Sequence, residues 1–166
     1  MPFDPGRATV RQLADAYRRG VTTPVEATET LLERLHPGPT WRTATAARAR
    51  AQAARAQRAF EAGVDLGPLQ GVPLAIKDLL DMEGEVSAAG SAGLLAEGRR
   101  AQRDAPLIAR LDAAGAVFLG RTQMTELAFS GLGLNPHFGT PEGVHAAGRV
   151  PGGSSSGSAV AVAAGQ

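Results

Sequence analysis

No cysteine occurs in the 166 residues, which excludes both a disulfide framework and a thiolate nucleophile. The three histidines, His36, His137 and His145, are scattered without metal-ligand spacing, so neither a metal nor another cofactor is expected. Aromatic residues make up 4% of the chain and the formal net charge is +1, a balance too weak for a phosphate-directed field, so nucleic acid is not an expected partner. No stretch is long and apolar enough to span a bilayer, and Met1-Pro2-Phe3-Asp4-Pro5 has neither the basic nor the apolar part of a signal segment. The expected location is therefore the cytoplasm, with no membrane partner. The scarcest side chain of functional interest is lysine: among 17 lysines and arginines only Lys77 is a lysine.

That scarcity has chemical content. A guanidinium stays protonated at any pH a protein survives, whereas burial can strip the proton from an ammonium, so lysine can act as a base and arginine cannot. Working as a base at neutral pH requires the lysine pKa to fall by roughly 3 units, within the range of desolvation. The run Gly71-Val72-Pro73-Leu74-Ala75-Ile76 before Lys77 reads as a buried strand delivering the amine into the interior. The competing reading is a chance survivor in an arginine-biased chain, or a lysine paired with Asp78 or Asp81.

A second feature is Pro151-Gly152-Gly153-Ser154-Ser155-Ser156-Gly157-Ser158, which opens into the small apolar run of residues 159–164. A loop of this kind entering a helix presents free backbone N–H groups and the positive helix end to an anion or a developing oxyanion. Its serines can both donate and accept protons. A flexible linker fits poorly, because the following residues read as core. A phosphate cradle fits poorly as well, because no G-x-x-x-x-G-K-[ST] pattern is present.

Residues 9–35 read as two helices punctuated by Gly20 and Pro24, and residues 41–61 as a third, rich in alanine and arginine. Arg48, Gln52 and Arg55 share one face of it, read as solvated. Asp104 is the expected N-cap of a later helix with Pro106 in its first turn and Gly115 at its end, followed by a short buried strand over residues 116–119. Residues 1–62 thus form a helical N-terminal region, and residues 63–166 an α/β part that carries both motifs, within one domain.

Gly71-Val72-Pro73-Leu74-Ala75-Ile76-Lys77-Asp78 together with Gly152-Gly153-Ser154-Ser155-Ser156-Gly157-Ser158-Ala159 resembles the amidase signature family of amide hydrolases. Residues 104–111 and 120–131 resemble its middle segment, and Asn135-Pro136-His137-Phe138-Gly139-Thr140-Pro141 is similar to its substrate-side loop. The resemblance runs through nearly the whole chain. It implies a mixed β-sheet flanked by helices, of which these residues form the opening part, truncated relative to the family. It also implies a Ser-cis-Ser-Lys triad in which Lys77 is the lysine and Ser154 the cis-serine, with a cis peptide before Ser154.

The family's nucleophile lies about two dozen residues beyond the cis-serine in an Asp-x-Gly-Gly-Ser turn, and this sequence contains no such segment. Gly152, Gly153 and Ser155 are the implied oxyanion and substrate loop, Met124, Ser130 and Gly131 the implied pocket lining, and His137 either a pocket residue or a surface one. Met124, Leu127 and Phe129 are each open to ordinary core packing. The implied substrate is a small-molecule amide, and the implied completing partner is a further polypeptide or a second copy of the chain. By themselves the 166 residues are expected to be inactive, with no serine-acylation chemistry of the family type. A sheet cut partway leaves an unpaired edge, so marginal stability or aggregation is expected of them, which a monomer with a sharp cooperative melt contradicts. Two other readings stay open: a truncated relic or binding module without turnover, and the amidase-like subunit of a tRNA-dependent amidotransferase. The Phe129-Ser130-Gly131-Leu132-Gly133-Leu134-Asn135-Pro136 run is more similar to the general amidases than to the latter.

Overall fold

A computed structural model describes residues 3–36 and 38–166. Met1 and Pro2, which open the segment read for a signal, lie outside the described residues. Helices α1 (Val10–Arg18) and α2 (Pro24–Glu33) begin on capping boxes, in which the Thr9 and Thr23 hydroxyls accept the N–H groups of Gln12 and Glu26 while those two side chains reach back to the capping backbone. Pro24 occupies the first turn of α2, where its missing N–H costs nothing. Tyr17 on α1 donates its hydroxyl to the Gly71 carbonyl at 3.0 Å, tying the helical pair to the loop that leads into the sheet.

The sheet has three strands among the described residues, in the order β1 (Trp41–Ala44), β3 (Val117–Thr122), β2 (Pro73–Lys77). β1 runs antiparallel and β2 parallel to β3. All six residues of β3 are buried, as a central strand covered on both faces requires, and its apolar run alternates between two cores. Val117 and Leu119 pack with Leu31, Trp41, Ala49, Ala53 and Ala161, while Phe118 packs with Ile76, Met82, Ile108 and Ala116 on the other face. Gly120 is where β1 approaches most closely: a Cβ there would sit 3.2 Å from the Trp41 ring and 3.0 Å from the Ala44 Cα. The outer edge of β2 pairs with no strand among the described residues. Beside it runs a groove of about 270 Å³, lined in part by Val10, Leu13, Leu74, Ala75 and Val162.

Two expectations need correction. Residues 41–61 are not one helix, because Trp41–Ala44 is strand β1 and helix α3 spans Ala46–Glu61. Thr45 makes the turn: its N–H donates to the Leu119 carbonyl at 2.9 Å and its hydroxyl to the Phe118 carbonyl at 2.8 Å, so pairing with β3 overrides helix propensity in the four residues before it. The first 62 residues therefore contribute a strand to the sheet as well as helices. The Arg48, Gln52, Arg55 face of α3 is likewise only partly solvated: Arg55 is exposed, Arg48 half-buried and Gln52 buried. It packs over helix α5 (Pro106–Ala113) and β3, with Gln52 buried, accepting the Phe118 N–H at 2.9 Å and donating to Asp112 at 2.6 Å. Arg48 pairs with Asp104 at 2.6 Å and lies over the Phe118 ring, and Arg55 pairs with Asp112 at 2.8 Å.

Asp104 is occupied by Arg48 and by the Glu83 N–H, and Ala105 stands at the N-cap of α5, with Pro106 in the first turn as expected. Gly115 follows the end of α5 at φ +82°, the left-handed backbone that glycine adopts without strain. The expected buried strand begins one residue later than read and extends to Thr122. Helix α4 (Ala92–Glu97) and a 3₁₀ turn (Glu126–Ala128) flank the path to helix α6 (Ser156–Ala164), which is the apolar helix expected after the Gly/Ser loop.

Gln52→Ala leaves the Phe118 N–H buried without a partner, and is expected to cost about 1–3 kcal/mol. Arg58→Ala, on the exposed face of the same helix, should change stability by less than about 0.5 kcal/mol. Denaturation midpoints of the two variants compared side by side check this, and equal midpoints contradict the assignment.

Candidate active site

Lys77 is the last residue of β2 and pairs in register with Thr122 at the end of β3. Beyond it the chain is pinned: the Asp78 N–H donates to the Thr122 carbonyl at 3.1 Å and the Asp78 carbonyl accepts the Ala89 N–H at 2.9 Å. The Asp78 carboxylate is buried against Arg121, whose Nε donates to it at 2.7 Å. Arg121 is itself buried and spends its remaining donors on the Leu80 carbonyl and the Ser87 hydroxyl, both at 3.0 Å. This network takes Asp78 away from Lys77. No carboxylate lies within ion-pair distance of the Lys77 amine among the described residues, so the reading of a lysine paired with Asp78 or Asp81 does not hold.

The amine instead donates to Ser154 Oγ at 2.7 Å. With burial and no counter-anion, desolvation pushes the Lys77 pKa down from its ordinary value. Its proton is therefore lost more readily than that of a free lysine.

Ser154 reaches this position through three links from its loop and helix α6 to residues 122–125. Its carbonyl accepts the Thr125 N–H at 3.0 Å, the Gly157 N–H donates to the Gln123 carbonyl at 2.9 Å, and the Ser158 and Thr122 hydroxyls are 2.7 Å apart. The Gln123 N–H in turn donates to the Thr40 carbonyl at 2.9 Å. The Gly153–Ser154 peptide is cis, the isomer that the resemblance implies. Gly153 is packed on one side so closely that a Cβ would lie 2.7 Å from the Gly133 nitrogen and 3.0 Å from Thr125 Oγ1. Ser155 caps α6 without a side-chain hydrogen bond, and Ser156 opens the helix with a buried hydroxyl that has no partner. The side-chain amide of Gln123 and the hydroxyl of Thr125 are buried and unpartnered as well.

The remaining candidates divide. Gly131 lies against the loop, its carbonyl 3.8 Å from where a Gly152 Cβ would be, and Gly133 backs Gly152 and Gly153. Ser130 accepts the Leu132 N–H at 3.1 Å and makes no hydrogen bond to Lys77 or Ser154. Met124 is fully buried, its carbonyl held by Asn135, so its side chain belongs to the core. Leu127 and Phe129 go the other way and are exposed, Phe129 to 95%, so core packing does not account for them in these residues. His137 pairs with Glu126 at 3.2 Å on the surface.

Sequence reasoning passed over Thr122, Gln123, Thr125 and Ser158 as individual supports. It quoted Asn135 only as part of a loop. Asn135 is the clamp of that loop: it donates to the Gly90 and Met124 carbonyls at 2.8 and 3.0 Å and accepts the N–H groups of His137 and Phe138, each at 3.0 Å. An Asn-Pro pair is a turn signal, and this was the available clue. Arg42 of β1 lies 3.9 Å over the Phe138 ring, fixing the other side of the same loop.

Residues 26–166 match the model of the amidase family. The chain belongs to that family. Amidase 1 of Arabidopsis thaliana is 52% identical over 96 residues, covering 58% of this amidase-family chain and 23% of the relative. The 1-carboxybiuret hydrolase subunit AtzE of Pseudomonas sp. (strain ADP) is 46% identical over 127 residues, covering 76% and 27% respectively. The structure of peptide amidase from Stenotrophomonas maltophilia superposes with a TM-score of 0.82 at 34% identity, over 95% of this chain and 34% of that one. The amidase-family chain thus spans between about a quarter and a third of the length of these relatives.

Because Lys77 is the only lysine, chain labelled with ¹³C-lysine gives one Cε resonance, and its titration midpoint is expected below 10.5. The unfolded chain holds that proton to higher pH than the folded one. Lys77 therefore opposes folding at neutral pH, and stability rises with pH between the folded-state value and 10.5. Lys77→Met should abolish that rise. A midpoint at or above 10.5 contradicts the desolvated environment.

Proposed function

We propose that Lys77 and Ser154 are the base and the relay hydroxyl of an amide-hydrolysing site, and that this chain supplies these two parts of a longer or jointly assembled enzyme. The 2.7 Å contact from amine to hydroxyl carries the reading. Neutral Lys77 accepts a proton from Ser154, which takes one from a nucleophilic hydroxyl as that hydroxyl attacks the amide carbonyl. The relay then runs backwards: the protonated amine returns the proton through Ser154 to the departing nitrogen, and water releases the acyl group. Gly152, Gly153 and Ser155 form the face of the site toward the substrate carbonyl, with Ser130 and Gly131 beside them and Met124 behind in the core.

The nucleophile comes from a segment these 166 residues do not contain, either on the same polypeptide or on a partner. The substrate is a small amide, consistent with relatives named as amidases and as a carboxybiuret hydrolase subunit. A cytoplasmic location fits the readings above.

In a protein completed by the nucleophile-bearing segment, Lys77→Arg keeps the charge but loses the base, and Ser154→Ala breaks the relay. Each should lower amide hydrolysis by about 10²-fold or more. Unchanged kcat/KM in both variants would sink the proposal.

A further inference from the structure

The amine and the hydroxyl of the site are carried by separate stretches of chain, and one buried side chain spans the mounts of both. On the base's side, the residue after Lys77 is held by residues 89 and 90: the Asp78 carbonyl accepts the Ala89 N–H at 2.9 Å and the Asp78 carboxylate accepts the Gly90 N–H at 3.4 Å. On the hydroxyl's side, the Ser154 carbonyl accepts the Thr125 N–H at 3.0 Å. The side-chain amide of Asn135 lies between these two stretches, its Nδ2 donating to the Gly90 carbonyl at 2.8 Å and to the Met124 carbonyl at 3.0 Å. Both of its protons are spent on this bridge, and with the residue only 2% exposed water does not compete for them. The backbone bond from the Leu127 N–H to the Ala89 carbonyl, at 2.8 Å, joins the same stretches beyond Thr125; Asn135 joins them before it. Gly90 shows how close the approach is: at φ +69°, a Cβ there would lie 2.7 Å from the Met124 carbonyl oxygen and 2.9 Å from Asn135 Nδ2. Two residues ahead of Asn135, Gly133 packs so tightly behind the Ser154 loop that a Cβ on it would overlap the Gly152 carbonyl.

We propose that Asn135 is a positioning residue for the relay: its amide sets the separation between the stretch that mounts Lys77 and the stretch that mounts Ser154, and so holds the amine and the hydroxyl in contact. The effect on catalysis rests on the relay reading, whereas the effect on the contact rests on geometry alone. Asparagine suits the task because one planar group offers two donors to carbonyls on separate segments and an acceptor to its own loop, where Oδ1 takes the N–H groups of His137 and Phe138. Aspartate has the same shape and keeps that acceptor, but it sets a carboxylate oxygen against two carbonyls where two N–H groups stood, and even when protonated it supplies one donor where the bridge uses two. Residues 90 and 124 then part while the bonds within the loop survive. A displacement of the hydroxyl by about 1 Å is enough to cost on the order of 10²-fold in rate.

The test uses the protein completed by the nucleophile-bearing segment. Asn135→Asp is expected to lower kcat for amide hydrolysis by about 10-fold to 10²-fold, with KM changed by less than about twofold. In a Ser154→Ala background the same substitution should cost nothing further, because the hydroxyl it positions is gone; a merely structural role lowers activity in both backgrounds. Gly90→Ala wedges a methyl group into the bridge from its other side, and it is the second variant should Asn135→Asp fail to fold, with the same loss of kcat expected. Crystal structures of the variants read the contact directly: the distance from Lys77 Nζ to Ser154 Oγ is expected to open from 2.7 Å to beyond hydrogen-bond range. A contact kept at 2.7 Å in a folded variant overturns the proposal, as does an equal loss of kcat in the parent and Ser154→Ala backgrounds. Full activity in Ser154→Ala alone would count against the relay reading instead, and the distance in the variant structures would still decide whether Asn135 holds the pair.

Discussion

The parallel pairing of β2 with β3 is the constraint on which the site depends. It brings Lys77 level with Thr122, and the chain after Thr122 is where the Ser154 loop is fastened. One strand end presents the base, and the continuation of its neighbour holds the hydroxyl. The central strand can play this part because it is buried on both faces, with Val117 and Leu119 in one core and Phe118 in the other, so its end has little freedom to shift. The two groups therefore sit at a strand end and in the loop just ahead of a helix, with the rigidity of the sheet behind them.

The second determinant is the separation of charges around Lys77. A lysine next to an aspartate in sequence would ordinarily find a counter-ion there, and a counter-ion would keep it protonated. Here Asp78 points into the buried Arg121 network, which also secures Leu80 and Ser87. Arginine suits that task, since its planar fork satisfies several acceptors at once while never giving up its proton. The division of labour between arginine and lysine is thus spatial as well as chemical: guanidinium groups carry the structural pairs, and the one amine is left to the hydroxyl.

Much of this was legible in the sequence. The apolar run before Lys77 and the small-residue loop at Ser154 opening into an apolar helix are local signals, and local signals survive into the structure. The misreadings share one physical origin. Trp41–Ala44 became a strand because β3 offered it an antiparallel partner more than seventy residues away, and the Gln52 face of α3 was covered because α5 folds back onto it. Neither partner is visible in a window of the chain. Thr122, Gln123, Thr125 and Ser158 were missed for the same reason, since each looks like an ordinary polar residue until the loop it supports is in place. The exposure of Leu127 and Phe129 was equally hidden, because apolar residues in an irregular segment carry no periodicity that reports a face.

The stitch from the Thr40 carbonyl to the Gln123 N–H, and from the Gln123 carbonyl to the Gly157 N–H, has a consequence in time as well as in space. It joins three segments that are far apart along the chain, and the contact it supports closes a loop of 77 residues between Lys77 and Ser154. Contacts of such long range must await the ordering of what lies between them. During synthesis the helical pair and the first two strands can emerge, but the amine has no hydroxyl to meet until residue 157 has left the ribosome and been drawn onto β3. The pair is thus absent until the whole span between its two members has been made and folded.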